Sequence, residues 1–225
     1  MKIEFWLSFF ILALVANLAG IQLNNELLQF VSKPLIIPAL TGYFFFQTKD
    51  IVSSLKKWIV AALIFSWGGD VLLLFQPKNE IFFLLGLSSF LLAHIFYIIY
   101  FHQVRIKENV KGNPWLLVTV VIYYAILINL LVPYLGAMKI PVLVYGVVIS
   151  FMFMLAMHML FIKHKAAGKW MMTGALLFVI SDSVLAINKF YQPFDVAGIV
   201  IMLTYGLAQV FIIQGAIKYL CTVKE

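Results

Sequence analysis

Long apolar stretches recur along the whole chain and are separated by short polar segments. A helix that crosses the hydrocarbon core of a bilayer needs roughly 20 residues of this kind. No polar segment is long enough to form a separate soluble domain, so the pattern predicts one all-α integral membrane domain over residues 1–225. We expect eight transmembrane helices, at about residues 5–22, 33–47, 57–76, 80–102, 114–133, 140–162, 169–188 and 195–219.

The second predicted helix is the shortest of the eight and contains two prolines. Pro34 fits the first turn of a helix, where an N–H has no intrahelical partner to lose, so we expect the helix to start there. Pro38 lies farther along the helix, where a proline removes a hydrogen bond and is expected to cause a kink.

Composition supports a membrane protein and excludes a soluble one. Hydrophobic residues make up 64% of the chain and charged residues 11%, and the mean hydropathy is +1.04. The first apolar stretch is expected to be an uncleaved membrane helix, because it is too long for a signal peptide and no clean cleavage site follows it. Cys221 is the only cysteine, so we expect neither an intrachain disulfide nor a cysteine metal cluster.

The basic residues predict the orientation of the helices. With eight crossings, twelve Lys and Arg residues lie on the side of both termini and four on the other side. This bias predicts cytoplasmic termini, in the inner membrane if the cell is bacterial. It also explains the net charge of +7 without a nucleic-acid partner. The twelve are Lys2, Lys49, Lys56, Lys57, Arg105, Lys107, Lys111, Lys163, Lys165, Lys169, Lys218 and Lys224; the four are Lys33, Lys78, Lys139 and Lys189.

Two aspartates interrupt the apolar stretches, Asp70 in SWGGDVLLL and Asp182 in FVISDSVLA. A carboxylate at membrane depth costs on the order of 3 kcal/mol on insertion scales. A Lys-Trp pair lies thirteen and twelve residues before each aspartate, at 57–58 and at 169–170. We therefore expect the two acids at the same depth, in helices that start from a basic flank.

The spacing between these acids indicates an internal repeat. They are 112 residues apart, and the same shift aligns further residues without gaps, although the second and sixth helices match poorly. Four helices per half is an even number, so we predict parallel repeats of a four-helix unit, residues 1–112 and 113–225. Chance similarity between leucine-rich helices is the alternative. Further aligned pairs are Asn17 with Asn129, Ala13 with Ala125, Leu18 with Leu130, Leu73 with Leu185 and Gly86 with Gly198.

Two other predicted helices carry polar residues on one face. Steps of three and four residues bring them to the same side of a helix. They are Gly86, Phe90, His94, Tyr97 and Phe101 on the fourth helix, and Gly198, Met202, Tyr205 and Gln209 on the eighth. At ~1.5 Å per residue, His94 is predicted to lie about two turns deeper than the carboxylates. A structural histidine inside the bundle is the alternative for His94.

Four further polar residues are expected near the level of the acids. Asn17 and Asn129 are predicted to bridge helices. Lys33 and Lys189 are expected on the non-cytoplasmic side, where each could bind a phosphate or only anchor the end of a helix.

Paired carboxyl groups offer acid–base chemistry. Two carboxylates in one low-dielectric site cannot both ionise cheaply, so one should hold a proton while the other is charged. Asp70 and Asp182 would then supply an acid and a base in one pocket. The alternative is a pair of structural carboxyl groups that hydrogen-bond across helices.

Short motifs recur in a fixed order along nearly the whole chain. They are Lys33-Pro34, Gly69-Asp70-Val71-Leu72-Leu73, Gly86, Phe90, His94, Tyr97, Pro141, Tyr145, Gly174-Ala175, Phe178, Ser181-Asp182-Ser183, Ala186, Lys189, Phe190, Tyr205, Ala208 and Gln209. In order and spacing the chain resembles the YhhN family of small multi-span membrane proteins, which includes the lysoplasmalogenases.

The resemblance implies hydrolysis of the vinyl ether bond of a lysoplasmalogen within the bilayer. The products would be a fatty aldehyde and glycerophosphoethanolamine or glycerophosphocholine. No nucleotide or redox cofactor is implied, and a metal held by both acids and His94 is a lesser alternative. The implied catalytic residues are Asp70, Asp182 and His94, and the implied substrate-binding residues are Lys33, Tyr97, Ser181, Lys189, Tyr205 and Gln209.

Two other functions fit parts of the pattern. Parallel repeats with paired acids at membrane depth also occur in proton-coupled carriers. Eight spans in 225 residues leave little room for alternating access. A membrane scaffold without chemistry would make both acids dispensable.

Overall fold

In the computed structural model, which describes residues 2–222, the chain forms a bundle of long α-helices. Eight of the helices among those residues are long and apolar enough to cross a membrane. This confirms the predicted all-α polytopic membrane fold; Lys224, used for the predicted orientation, lies outside the described residues. The helices are α1 (Lys2–Gln22), α2 (Glu26–Thr48), α3 (Lys56–Leu74), α4 (Ile81–Lys107), α5 (Pro114–Leu131), α6 (Lys139–His158), α7 (Lys165–Ala186) and α8 (Ala197–Thr222).

Helix α2 corrects one predicted boundary, because it begins at Glu26 and not at Pro34. Asn25 caps the helix: its side chain accepts a hydrogen bond from the backbone N–H of Leu28 at 3.0 Å. The carboxylate of Glu26 in the first turn is favoured by the helix dipole. These polar residues start the helix before its apolar part begins, so that Pro34 lies in its interior.

The prolines of α2 connect it to α3. Pro38 has no N–H to donate to the carbonyl of Pro34, four residues earlier in the helix. The Pro34 carbonyl instead accepts a hydrogen bond from Nε1 of Trp67 on α3 at 2.9 Å. The proline pair is thus accommodated inside a transmembrane helix by a neighbouring helix.

The closest helix pairs are three hairpins, α1–α2, α3–α4 and α7–α8. In the α7–α8 hairpin, small residues allow the two backbones to approach closely. A Cβ atom on Gly174 would lie 2.7 Å from the Ala208 carbonyl, and one on Gly215 would lie 2.8 Å from the Ala167 carbonyl. Side chains larger than glycine at these positions would force the helices apart.

Side chains join the α3–α4 hairpin to the α7–α8 hairpin in the centre of the bundle. The Phe90 ring of α4 lies edge-on to Phe178 of α7 and to Tyr205 of α8. Helix α5, by contrast, lies at the periphery, where only Val120 and Leu131 are buried. The centre of the bundle therefore combines α3, α4, α7 and α8, with α2 and α6 packed against them.

Candidate active site

A cavity of about 250 Å³ lies between the two central hairpins, and both membrane aspartates line it. Lys33, Ser181 and Tyr205 line the same cavity. We call it the central cavity. It brings together side chains from α2, α3, α7 and α8 that the sequence places up to 172 residues apart (205 minus 33).

Asp70 is buried and has two polar partners. The hydroxyl of Tyr205 donates a hydrogen bond to its Oδ2 at 2.6 Å. The ammonium of Lys33 lies 4.0 Å from its Oδ1. A cation and a hydroxyl donor thus face one carboxyl group inside the bundle, as a buried carboxylate requires.

Asp182 has a different set of partners, and its side chain is 14% exposed. The hydroxyl of Tyr145 on α6 donates to Oδ2 at 2.5 Å. Nε2 of His94 lies 3.3 Å from the same oxygen and 2.9 Å from the Tyr145 hydroxyl. Two neutral groups from α4 and α6 therefore hold one oxygen of this carboxyl group.

The contact between His94 and Asp182 corrects the predicted depth difference of two turns. A Cα–Cβ bond tilts towards the N-terminus of its helix. Helices α4 and α7 cross the bundle in opposite directions, so these two side chains lean towards each other. A depth calculated from backbone rise alone omits this convergence.

The surroundings of His94 select its tautomer. Within residues 2–222, Nδ1 has no hydrogen-bond partner, and the ring packs edge-on against Phe178 at 4.6 Å. A buried N–H without an acceptor is rarer than an unpaired acceptor. The proton of the neutral ring therefore belongs on Nε2, where Tyr145 and Asp182 can accept it.

Three of the remaining predicted residues do not line the central cavity. Tyr97 donates a hydrogen bond to Gln209 at 2.6 Å, and Gln209 donates to Ser66 at 2.9 Å. These residues form a buried polar layer one turn from Asp70 and Tyr205. Lys189 lies in a π-helical turn after α7, with its ammonium 5.2 Å from the centre of the Phe83 ring.

Ser181 lines the cavity with its neighbour Asp182, and its hydroxyl donates to the Ile201 carbonyl at 3.0 Å. Its hydrogen bond fixes α7 against α8 beside the acid. Asn17 bridges α1 and α2 as predicted, through a hydrogen bond to Ser32 at 3.1 Å. Asn129, its partner in the predicted repeat, lies exposed on α5.

Sequence reasoning missed the direct contact of Tyr145 with an acid and the place of Gln29 in the cavity lining. A signal for Tyr145 was present, because it lies 112 residues after Lys33, the same shift that relates the two acids. Gln29 lay outside the predicted second helix, so nothing placed it near Lys33.

Two further cavities adjoin the central one. The vestibule, of about 520 Å³, shares Gln29 and Lys33 with it and extends to the connections α1–α2 and α3–α4. The slot, of about 30 Å³, shares Asp182 and Leu185 with it and is otherwise mainly apolar. The slot lies between α4, α6 and α7, and its other lining residues are Phe83, Leu87, Val142, Tyr145, Ala186 and Phe190.

The carboxyl and imidazole groups do not form a metal site. Among residues 2–222, no three or more His, Cys, Asp or Glu side chains are grouped so as to hold a metal ion. The metal alternative for Asp70, Asp182 and His94 therefore gains no support from the geometry.

Comparison with known proteins decides the family. The sequence model of the YhhN family matches residues 28–216 of this chain. The chain belongs to the YhhN family. The family predicted from the resemblance is therefore confirmed, and no solved structure matches the chain.

Several relatives of this YhhN-family chain carry the name lysoplasmalogenase. Human lysoplasmalogenase TMEM86B is 28% identical over 214 residues, which is 95% of this chain and 87% of the human protein. Human lysoplasmalogenase TMEM86A is 34% identical over 170 residues, 71% of this chain and 65% of that protein. The lysoplasmalogenase of Mycobacterium tuberculosis (strain CDC 1551 / Oshkosh) is 31% identical over 163 residues, 71% of this chain and 60% of that protein. The chain thus spans less than two thirds of the last two relatives.

Proposed function

We propose that this YhhN-family protein hydrolyses the vinyl ether bond of lysoplasmalogen-type lipids to a fatty aldehyde and a glycerophospho-base. The observation that carries this proposal is that Asp70 and Asp182 line one cavity inside an otherwise apolar bundle. Ionisable groups within membrane helices are costly and commonly mark functional sites. The relatives named lysoplasmalogenase support the same reaction class.

The reaction requires one proton donor and one proton acceptor. A proton added to the β-carbon of the vinyl ether gives an oxocarbenium ion. Water adds to the cationic carbon and loses a proton to the base, which forms a hemiacetal. The hemiacetal collapses by breaking its bond to the glycerol oxygen, which takes up a proton as the aldehyde leaves. One water molecule is consumed and no electrons are exchanged.

The neighbouring groups assign the two roles. Lys33 can balance the negative charge of Asp70 at 4.0 Å, whereas the partners of Asp182 are a tyrosine and a neutral histidine. Adjacent carboxyl groups in a low-dielectric site share one proton. Asp182 therefore carries the proton and acts as the general acid. Asp70 is ionised, stabilises the oxocarbenium ion and accepts a proton from water.

The hydrogen bonds to Asp182 support this role. Tyr145 and His94 both approach Oδ2, while Oδ1 has no hydrogen-bond donor among the described residues and is left for the substrate. As the acid gives up its proton, negative charge develops on the carboxyl group. Donors that are already in place stabilise this charge without reorganisation.

The slot suits the alkenyl chain of the lipid. It is apolar, lies between helices that face the bilayer, and includes Asp182 in its lining. The reacting double bond joins the chain to the glycerol oxygen. It would therefore lie beside Asp182, with the chain in the slot and the glycerol in the central cavity.

Asparagine variants of the two acids test the proposal, because Asn keeps the volume of Asp but cannot exchange the proton. With a lysoplasmalogen as substrate, purified Asp70→Asn and Asp182→Asn should each lose aldehyde release by roughly 10²–10⁴-fold, the contribution of a general acid or base. The matched control is Asp195→Asn, an exposed carboxylate in the α7–α8 connection.

The folding of all three variants is checked by thermal unfolding in detergent. Unchanged turnover in both site variants would contradict the proposal. Proton-linked solute flux into liposomes that requires the same two acids would favour the carrier instead.

A further inference from the structure

The vestibule presents charges of both signs to a ligand. Glu26, in the first turn of α2, and Lys78, in the α3–α4 connection, line it as exposed residues. Lys33 lies farther in, where the vestibule meets the central cavity. Within the described chain, Glu26 and Lys78 take part in no ion pair. Both charges are thus free to pair with a zwitterion.

A buried acceptor in the same lining lacks a partner. Asn17 is 1% exposed, and its Nδ2 donates to Ser32. Its Oδ1 accepts no hydrogen bond from any described residue. A buried polar atom is usually paired, so an unpaired one in a cavity wall indicates a donor that belongs to a ligand or to water.

The type of cation that the vestibule can bind follows from its lining. A primary ammonium has three N–H donors, which suit the carboxylate of Glu26 and Oδ1 of Asn17. A trimethylammonium has no N–H donor and is bound by several aromatic faces. Phe30 is the single aromatic side chain that lines the vestibule, and its ring packs edge-on against Phe75 at 5.4 Å.

We propose that the vestibule binds the phospho-base of the lipid and selects a primary ammonium of the ethanolamine type over a quaternary ammonium of the choline type. Lys33 and Lys78 bind the phosphate, while Glu26 and Asn17 accept hydrogen bonds from the ammonium. This inference rests on the proposed function, because the head group and the vinyl ether belong to one molecule. Glycerophosphoethanolamine offers the same chemistry without a lipid chain.

Binding of non-reactive lipids tests this selectivity separately from catalysis. The probes are 1-O-alkyl lysophosphatidylethanolamine and its choline analogue, whose saturated ethers lack the reacting double bond. The full-length protein in detergent should bind the ethanolamine lipid roughly fivefold more tightly, the effect of one partly exposed charge-assisted hydrogen bond. In Glu26→Gln the two Kd values should become equal.

Glu80→Gln is the matched control, because Glu80 is an exposed carboxylate next to α4 that does not line the vestibule. It should keep the preference of the unchanged protein. Free glycerophosphoethanolamine should displace a bound lipid more effectively than glycerophosphocholine does, and this difference should vanish in Glu26→Gln. Equal binding of both lipids by the unchanged protein, or a preference that survives in Glu26→Gln, would overturn the inference.

Aldehyde release from the matching vinyl ethers separates this inference from the proposed reaction. Selective binding without aldehyde release would support the head-group site and contradict the reaction. Aldehyde release without selective binding would support the reaction and contradict the head-group site.

Discussion

Asp70 and Asp182 differ in their immediate neighbours, and this difference gives them opposite roles. A general acid must be protonated, so activity that depends on Asp182 falls as the pH rises. A general base must be ionised, so activity that depends on Asp70 falls as the pH drops. The residual activity of Asp70→Asn should lose the decline at low pH, and that of Asp182→Asn the decline at high pH. The reverse pair of profiles would exchange the two roles.

Tyr145 should contribute to the rate more than to binding. Tyr145→Phe removes only the hydroxyl that donates to Asp182. Loss of a hydrogen bond to a developing charge should lower kcat by about 10- to 100-fold and leave KM nearly unchanged. Tyr124→Phe, which removes a hydroxyl bonded to the Leu143 carbonyl, is the control and should retain full activity. A change in KM alone would show that Tyr145 binds substrate and does not support the acid.

The sequence identifies the two acids because a charge is conspicuous within an apolar helix. Tyr145 is not conspicuous, since tyrosine is ordinary in membrane helices and its contact depends on the approach of α6 to α7. Tyr97 and Gln209 share helix faces with cavity residues but lie one turn away from the cavity. Spacing along a helix predicts which residues share a face and not how far a cavity extends along it.

At the level of helices, the apolar periodicity predicts eight spans but not every helix end. The start of α2 depends on a polar cap, Asn25, which lies outside the apolar stretch. The early start brings Glu26 and Gln29 into the helix that carries Lys33. The vestibule lining depends on this turn, so it could not be derived from hydropathy.

The slot between α4, α6 and α7 should determine which chain lengths react. Ala186→Phe adds a ring to the slot lining and should lower kcat/KM for long alkenyl chains more than for short ones, because a filled slot leaves no room for the chain. The measurement is aldehyde release from vinyl ethers with two chain lengths. Leu176→Phe, at an exposed position of α7, should change neither value. An equal loss for both chain lengths would contradict this path.

At the level of the whole molecule, the contacts around the acids follow the predicted repeat. Lys33 and Tyr145 are 112 residues apart, as Asp70 and Asp182 are, and each lies beside the acid of its own half. Tyr97 and Gln209, also 112 residues apart, bond to each other. A duplication with a two-fold axis between the halves would produce this pattern. The duplication stays a prediction.

The predicted orientation can be read from the single cysteine. Cys221 is exposed near the end of α8, so a membrane-impermeant maleimide should label it in inside-out vesicles and not in intact cells. With Cys221→Ser as background, Gln192→Cys in the α7–α8 connection should show the opposite pattern. Labelling of Cys221 in intact cells would reverse the predicted orientation.

The product formed in D₂O tests the proposed hydrolysis most directly. Protonation at carbon followed by addition of water predicts that the purified protein releases a fatty aldehyde with one deuterium on the carbon next to the carbonyl group. Mass spectrometry of the aldehyde measures this label, and the double variant Asp70→Asn, Asp182→Asn should release none above the background. Absence of aldehyde from the unchanged protein, or equal release by the double variant, would contradict hydrolysis by this pair of acids.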